Sequence, residues 1–185
     1  MSLGIEAFFI SGFGLGEECS STLPPSKMGN FFPKDHLPLI LLVDVCVKRV
    51  FDLGRRFPWP KPKGCPRCRG RIWGHGFVAA YFDGFDEPLW LRRYRCRDCR
   101  RVFRLRPKAY WSRFQAPISI IRKSIAQRLQ TGRWPRDLSR SRQGHWLRAL
   151  IRRVLAFLGY QWKGRWLQGF DRLCEMGRVP VCRSI

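Results

Sequence analysis

Cys65-Pro66-Arg67-Cys68 and Cys96-Arg97-Asp98-Cys99 bracket about thirty residues of apolar and aromatic sequence, and the reading of these two pairs decides the fold. Each Cys-x-x-Cys forms a turn that presents two sulfurs to one ion. Two such turns facing each other across a hairpin close a tetrahedral site, which selects Zn²⁺ with Cys65, Cys68, Cys96 and Cys99 as ligands. A redox or disulfide use of the same pairs is the competing reading. His75, in Gly74-His75-Gly76, lies between the pairs as a reserve ligand, but four cysteines complete the set without it.

Outward from the pairs, Phe77 to Phe82 and Leu89 to Arg95 read as two strands joined by the loop Asp83 to Pro88. Val102-Phe103-Arg104-Leu105 alternates apolar with basic residues and supplies a third strand. The expected unit over residues 63–107 is therefore a small three-stranded zinc ribbon. Before it, Leu41, Leu42, Val45, Val50 and Phe51 suit a short helix ending at Gly54, and Pro58, Pro60 and Pro62 mark an extended linker, together residues 37–62. Residues 1–36 have little periodicity and are read as an irregular N-terminal extension; Met28 is an alternative translation start.

The second half reads as helical. Ile118, Ile121, Ile125 and Leu129 share one face of a helix that Gly132 stops. A short element at Pro135 to Leu138 follows. A longer helix, with Ser139 or Ser141 as its cap, then runs through Trp146, Leu150, Val154 and Leu158. That proportion is a helix-turn-helix over residues 115–160, with a C-terminal helix and tail over 161–185. The fold class expected is α+β: a three-stranded zinc ribbon followed by an all-α helix-turn-helix bundle.

The 185 residues carry a formal net charge of +23, with 28 arginines against 8 lysines. Residues 1–47 hold two lysines and five acids, a net of −3, so the remainder is +26. Arginine's planar fork pairs bidentately with phosphate and with guanine edges, which favours a nucleic-acid partner. Neither a secretory leader nor a membrane span is indicated, because the opening lacks a basic region and Asp44 interrupts the apolar run Leu37 to Val43. A cytoplasmic, non-membrane protein is expected. Cys19, Cys46, Cys174 and Cys182 lack ligand spacing and read as ordinary thiols.

In a helix-turn-helix the start of the second helix enters the major groove. Arg140, Ser141, Arg142, Gln143 and His145 are then the expected base-contacting residues, with Arg148, Arg152 and Arg153 on phosphates. Around the cysteines, Arg93, Arg95, Arg97, Arg100 and Arg101 are expected to grip the backbone, as are Arg67, Arg69 and Arg71. Tyr81, Trp90 or Tyr94 would stack on bases if the ligand were single-stranded. Asp83, Asp86 and Glu87 are more simply a turn than part of a two-metal site, and no nucleophile or phosphate-loop motif is present. An enzyme is not expected.

Cys65-Pro-Arg-Cys68, Gly74-His75-Gly76 and Arg93-Tyr94-Arg95-Cys96-Arg-Asp-Cys99-Arg-Arg-Val-Phe103 together resemble the zinc ribbon at the head of bacterial insertion-sequence transposases. The pattern is also similar to small mobile-element-associated proteins that join this ribbon to a helix-turn-helix. The resemblance spans residues 60–158, and the chain departs from transposases in having no catalytic acidic domain after it. It implies duplex DNA binding as an accessory factor or regulator. An RNA-binding or ribosome-associated role, or an adaptor that contacts a polymerase or a transposase, are the alternatives.

Overall fold

The computed structural model describes residues 39–183. The proposed extension over residues 1–36, including the alternative start at Met28, lies outside the described residues. Elements follow in the order β1 (Leu39–Val43), α1 (Val47–Leu53), a 3₁₀ turn (Gly54–Arg56), β2 (Ile72–Ala80), β3 (Leu89–Cys96), β4 (Val102–Pro107), α2 (Ile118–Thr131), α3 (Arg140–Leu158) and α4 (Trp166–Glu175).

The sheet has four strands in the order β1-β4-β3-β2 and is mixed. This overturns the expected class of a three-stranded ribbon followed by an all-α helix-turn-helix bundle. The segment read as one helix over Pro38 to Leu53 divides instead, its first strand pairing in parallel with β4, Leu39 beside Phe103 and Val43 beside Pro107. Leu-Ile-Leu-Leu-Val is an unbroken aliphatic run, and such runs suit a strand apolar on both faces. The free edge of β4 offers it a backbone ladder that a short isolated helix could not match. Only Val47–Leu53 remains helical, ended by Gly54 at φ 53°.

β2 and β3 form the antiparallel hairpin, and β3 pairs antiparallel with β4. β2 carries a bulge between Gly74 and Phe77 that the left-handed Gly76, φ 71°, makes possible. One sheet face is apolar: Tyr94, Phe103 and Leu105 are buried with Val50 of α1 and Trp59 of the proline-rich segment. Burying Phe103 and Leu105 contributes on the order of 2–3 kcal/mol each.

A second core joins α2, α3 and α4 through Ile121, Ile125, Trp146, Leu150, Val154, Phe170 and Leu173. α4 approaches α3 closely because Gly169 faces Val154; a Cβ on Gly169 would lie 2.6 Å from a Val154 methyl. No short helix occurs at Pro135 to Leu138, which is irregular, and Ser139 makes no side-chain cap bond to α3. Gln143 serves there instead: its Nε2 donates to the carbonyls of Pro135 (3.0 Å) and Leu138 (2.7 Å), tying the connection down from inside.

The segment between β4 and α2 joins the two cores. Tyr110 packs edge-on against Phe82 at 4.4 Å, and Arg106, buried, lies over the Phe82 ring and donates from Nη2 to the Phe114 carbonyl. Burial pulls the Arg106 pKa below its ordinary value.

Candidate metal centre and the arginines around it

The two Cys-x-x-Cys turns fold as near-copies of each other. The Cys65 N–H donates to the Gly70 carbonyl (3.0 Å) and the Cys96 N–H to the Arg101 carbonyl (2.9 Å), each bond closing a loop over its pair. Arg69 and Arg100, each directly after a second cysteine, are left-handed at φ 60° and 54°. A non-glycine residue there costs on the order of 1–2 kcal/mol, so the closed turn must offset it. A further bond, Arg97 N–H to the Arg71 carbonyl, fastens one turn to the other.

The four sulfurs lie within 4.8 Å of one another, with Cys65 Sγ 3.6 Å from Cys99 Sγ and Cys68 Sγ 3.5 Å from Cys96 Sγ. Tetrahedral metal–sulfur bonds of about 2.3 Å require sulfur–sulfur spacings of about 3.8 Å. The cluster fits a metal ion. It fits a disulfide poorly, since those contacts are far longer than the roughly 2.05 Å of an S–S bond. In the bare protein, burial pushes the Cys65 thiol up to about 11; a coordinated cation reverses that by binding the thiolate. His75 takes no place among the clustered ligands. Cys174 and Cys182 are part-buried free thiols, whereas Cys46, read as an ordinary thiol, is disulfide-bonded.

Four thiolates around a divalent ion leave net negative charge, which nearby arginines offset. The number of arginines exceeds that need: residues 65–107 hold eleven against four acids. Arg67, Arg69, Arg71, Arg97 and Arg100 are exposed on the turns, and Arg93, Arg95 and Arg101 are half-buried. Among the described residues, the ion pairs are Arg122–Asp171, Arg142–Asp83 and Arg172–Glu175. None involves these arginines.

The residues expected to read bases do not share a surface. Arg140, Ser141, Arg148 and Arg152 are exposed on α3. Gln143 is fully buried, accepting from Ser124 Oγ at 2.6 Å, and Arg142 is turned to the β2–β3 loop, 2.7 Å from Asp83. His145 is half-buried with its Nε2 enclosed. A polar residue on the inner face of a helix looks the same in sequence as one on the outer face until the helix phase is known. Arg153 donates to the Val179 carbonyl at 2.7 Å rather than facing outward. Of the aromatics considered for stacking, Tyr94 is buried and Trp90 is capped by Arg55 at 3.9 Å, while Tyr81 is exposed.

Two further residues join this surface without a signal in the local sequence. Trp73 is 44% exposed and pairs with Arg95 across β2 and β3, and Arg104 lies directly opposite Arg93 across β3 and β4. What marks them is the alternation of strand faces, which can be read only once the register is fixed. No family model, curated protein or solved structure matches the chain. No helix among the described residues is long and apolar enough to cross a membrane.

Proposed function

We propose that the chain is a zinc-ordered DNA-binding protein that holds the phosphate backbone of a duplex through the arginines on its two cysteine turns. The observation that carries this reading is the basic shell without counterions: exposed arginines, rigidly mounted on left-handed and hydrogen-bonded turns, with no carboxylate among the described residues in ion-pair range. Such charges are unfavourable together until phosphates neutralise them. Zinc is the ion that four thiolates at tetrahedral spacing favour. Arg140, Arg148 and Arg152 extend the same charge along α3.

Binding is set by charge first, because the two side chains best able to read adenine and guanine, Gln143 and Arg142, are committed inside the protein. The likeness of the second cysteine turn to transposase ribbons supports a setting in mobile-element maintenance or regulation. The test is anisotropy of zinc-loaded protein with a labelled duplex across a salt series, with structured RNA as competitor. Arg97→Ala with Arg100→Ala should reduce the salt slope by about two, one for each phosphate no longer held. A flat salt response, or tighter binding to the RNA, would overturn the duplex reading.

A further inference from the structure

On the sheet positions that alternate with Tyr94, Phe103 and Leu105, Leu89, Leu91 and Arg106 are buried, while the part nearer the cysteine turns carries half-buried arginines. Trp73, Arg95 and Val102 form one row across β2, β3 and β4, and Arg93 and Arg104 form the next. Residues directly opposite on neighbouring strands have Cβ atoms about 5 Å apart, where like charges repel. Arg93, Arg95 and Arg104 nevertheless crowd this face with no acid among the described residues in ion-pair range. The Nε atom of each is buried and has no acceptor among those residues. The Nε atoms are enclosed, but these side chains are only half-buried and their terminal nitrogens are neither enclosed nor paired among the described residues, so three neighbouring guanidiniums remain open to acceptors from outside. Beside them stands the indole of Trp73, 44% exposed, on a strand whose other aromatic, Phe77, is more enclosed.

We propose that this face binds an unpaired nucleic-acid strand, with Arg93, Arg95 and Arg104 on its phosphates and Trp73 stacked on a base. Phosphate oxygens supply the missing acceptors and cancel the cross-strand repulsion. The indole selects the form of the strand, because bases in a duplex are stacked on one another and offer only their edges, whereas an unpaired base exposes a face. The inference rests on the nucleic-acid reading above and adds to it a second surface with a different ligand. A protein holding duplex on its cysteine turns and unpaired strand on its sheet suits a junction between the two.

The experiment titrates zinc-loaded full-length protein with labelled oligo-thymidine and, separately, with a labelled duplex, for wild type and for Trp73→Ala, Trp73→Phe and Arg104→Ala. Removing one stacking platform should weaken oligo-thymidine binding about 5- to 150-fold in Trp73→Ala, with Trp73→Phe intermediate and duplex affinity within about twofold of wild type. Arg104→Ala should weaken oligo-thymidine binding and lower its salt slope by about 0.7, while the ligand-free protein melts no earlier, since a repulsion has been removed. Unchanged oligo-thymidine affinity in both Trp73→Ala and Arg104→Ala, with duplex binding intact, would overturn this inference alone. Wild-type protein that binds neither ligand would overturn the nucleic-acid reading with it.

Discussion

Arg142 Nη2 lies 2.7 Å from Asp83 Oδ2, joining the first turn of α3 to the loop between β2 and β3. The approach is ionic rather than a well-aligned hydrogen bond, and the Arg142 guanidinium also rests 5.0 Å from the centre of the Trp146 ring. The helical core and the sheet thus meet through a charge that the sequence offers equally to a ligand. The two side chains are 23% and 27% exposed, so the pair keeps more of its Coulomb energy than a fully solvated one. A double-mutant cycle of Arg142→Ala and Asp83→Ala, read by denaturant unfolding, should give a coupling of about 1 kcal/mol. Additive single-mutant effects would show that the contact is incidental.

Gln143 makes a sharper case. Its amide nitrogen donates to two carbonyls of the α2–α3 connection and its oxygen accepts from Ser124, with the side chain wholly buried. Gln143→Leu removes those partners, leaving the Ser124 hydroxyl enclosed and the part-buried Pro135 and Leu138 carbonyls without their donor. Each uncompensated group costs about 1–3 kcal/mol, and the total should reach several kcal/mol. Thermal unfolding checks the loss. A variant as stable as wild type but altered in sequence preference would restore Gln143 to the base-reading role.

The four-cysteine cluster is legible in the sequence because cysteine spacing is a local property: a Cys-x-x-Cys turn presents its sulfurs together whatever the rest of the chain does. The hairpin is legible for the same reason, through two runs rich in aromatic and aliphatic residues separated by the loop Asp83 to Pro88. β1 is hidden because Leu39–Val43 becomes a strand only by pairing with β4, about sixty residues later, and a short aliphatic run has no period that separates helix from strand. The helix-turn-helix reading fails at Pro135 to Leu138, where Gln143 holds an irregular connection in place of a helix. The arginine face stays hidden until the register sets Arg93 against Arg104.

Removing the metal should act on one core and spare the other. The sheet's core is built around β3 and β4, whose connection carries Cys96 and Cys99, whereas Ile121, Trp146, Leu150 and Phe170 pack among helices away from it. Structural zinc contributes on the order of 10 kcal/mol to small modules of this kind. Cys96→Ser, or a strong chelator, should abolish metal binding and the near-UV signal of the sheet aromatics while most of the far-UV helical signal persists. Full metal occupancy in Cys96→Ser would refute the four-thiolate site.

The junction should also report its own pH limit. Burial, helped by the negative charge of Asp83 and opposed by Arg106, pushes the Tyr110 phenol up to about 12 from its ordinary 10.0. The folded state therefore holds that proton more tightly than the unfolded chain does. The stability this confers is complete below about pH 10 and is lost as pH climbs towards 12. Ultraviolet titration of phenolate absorbance should show a step near pH 12. Tyr110→Phe should delete that late step. A late step that survives in Tyr110→Phe would assign it elsewhere and remove Tyr110 from the alkaline limit of the fold.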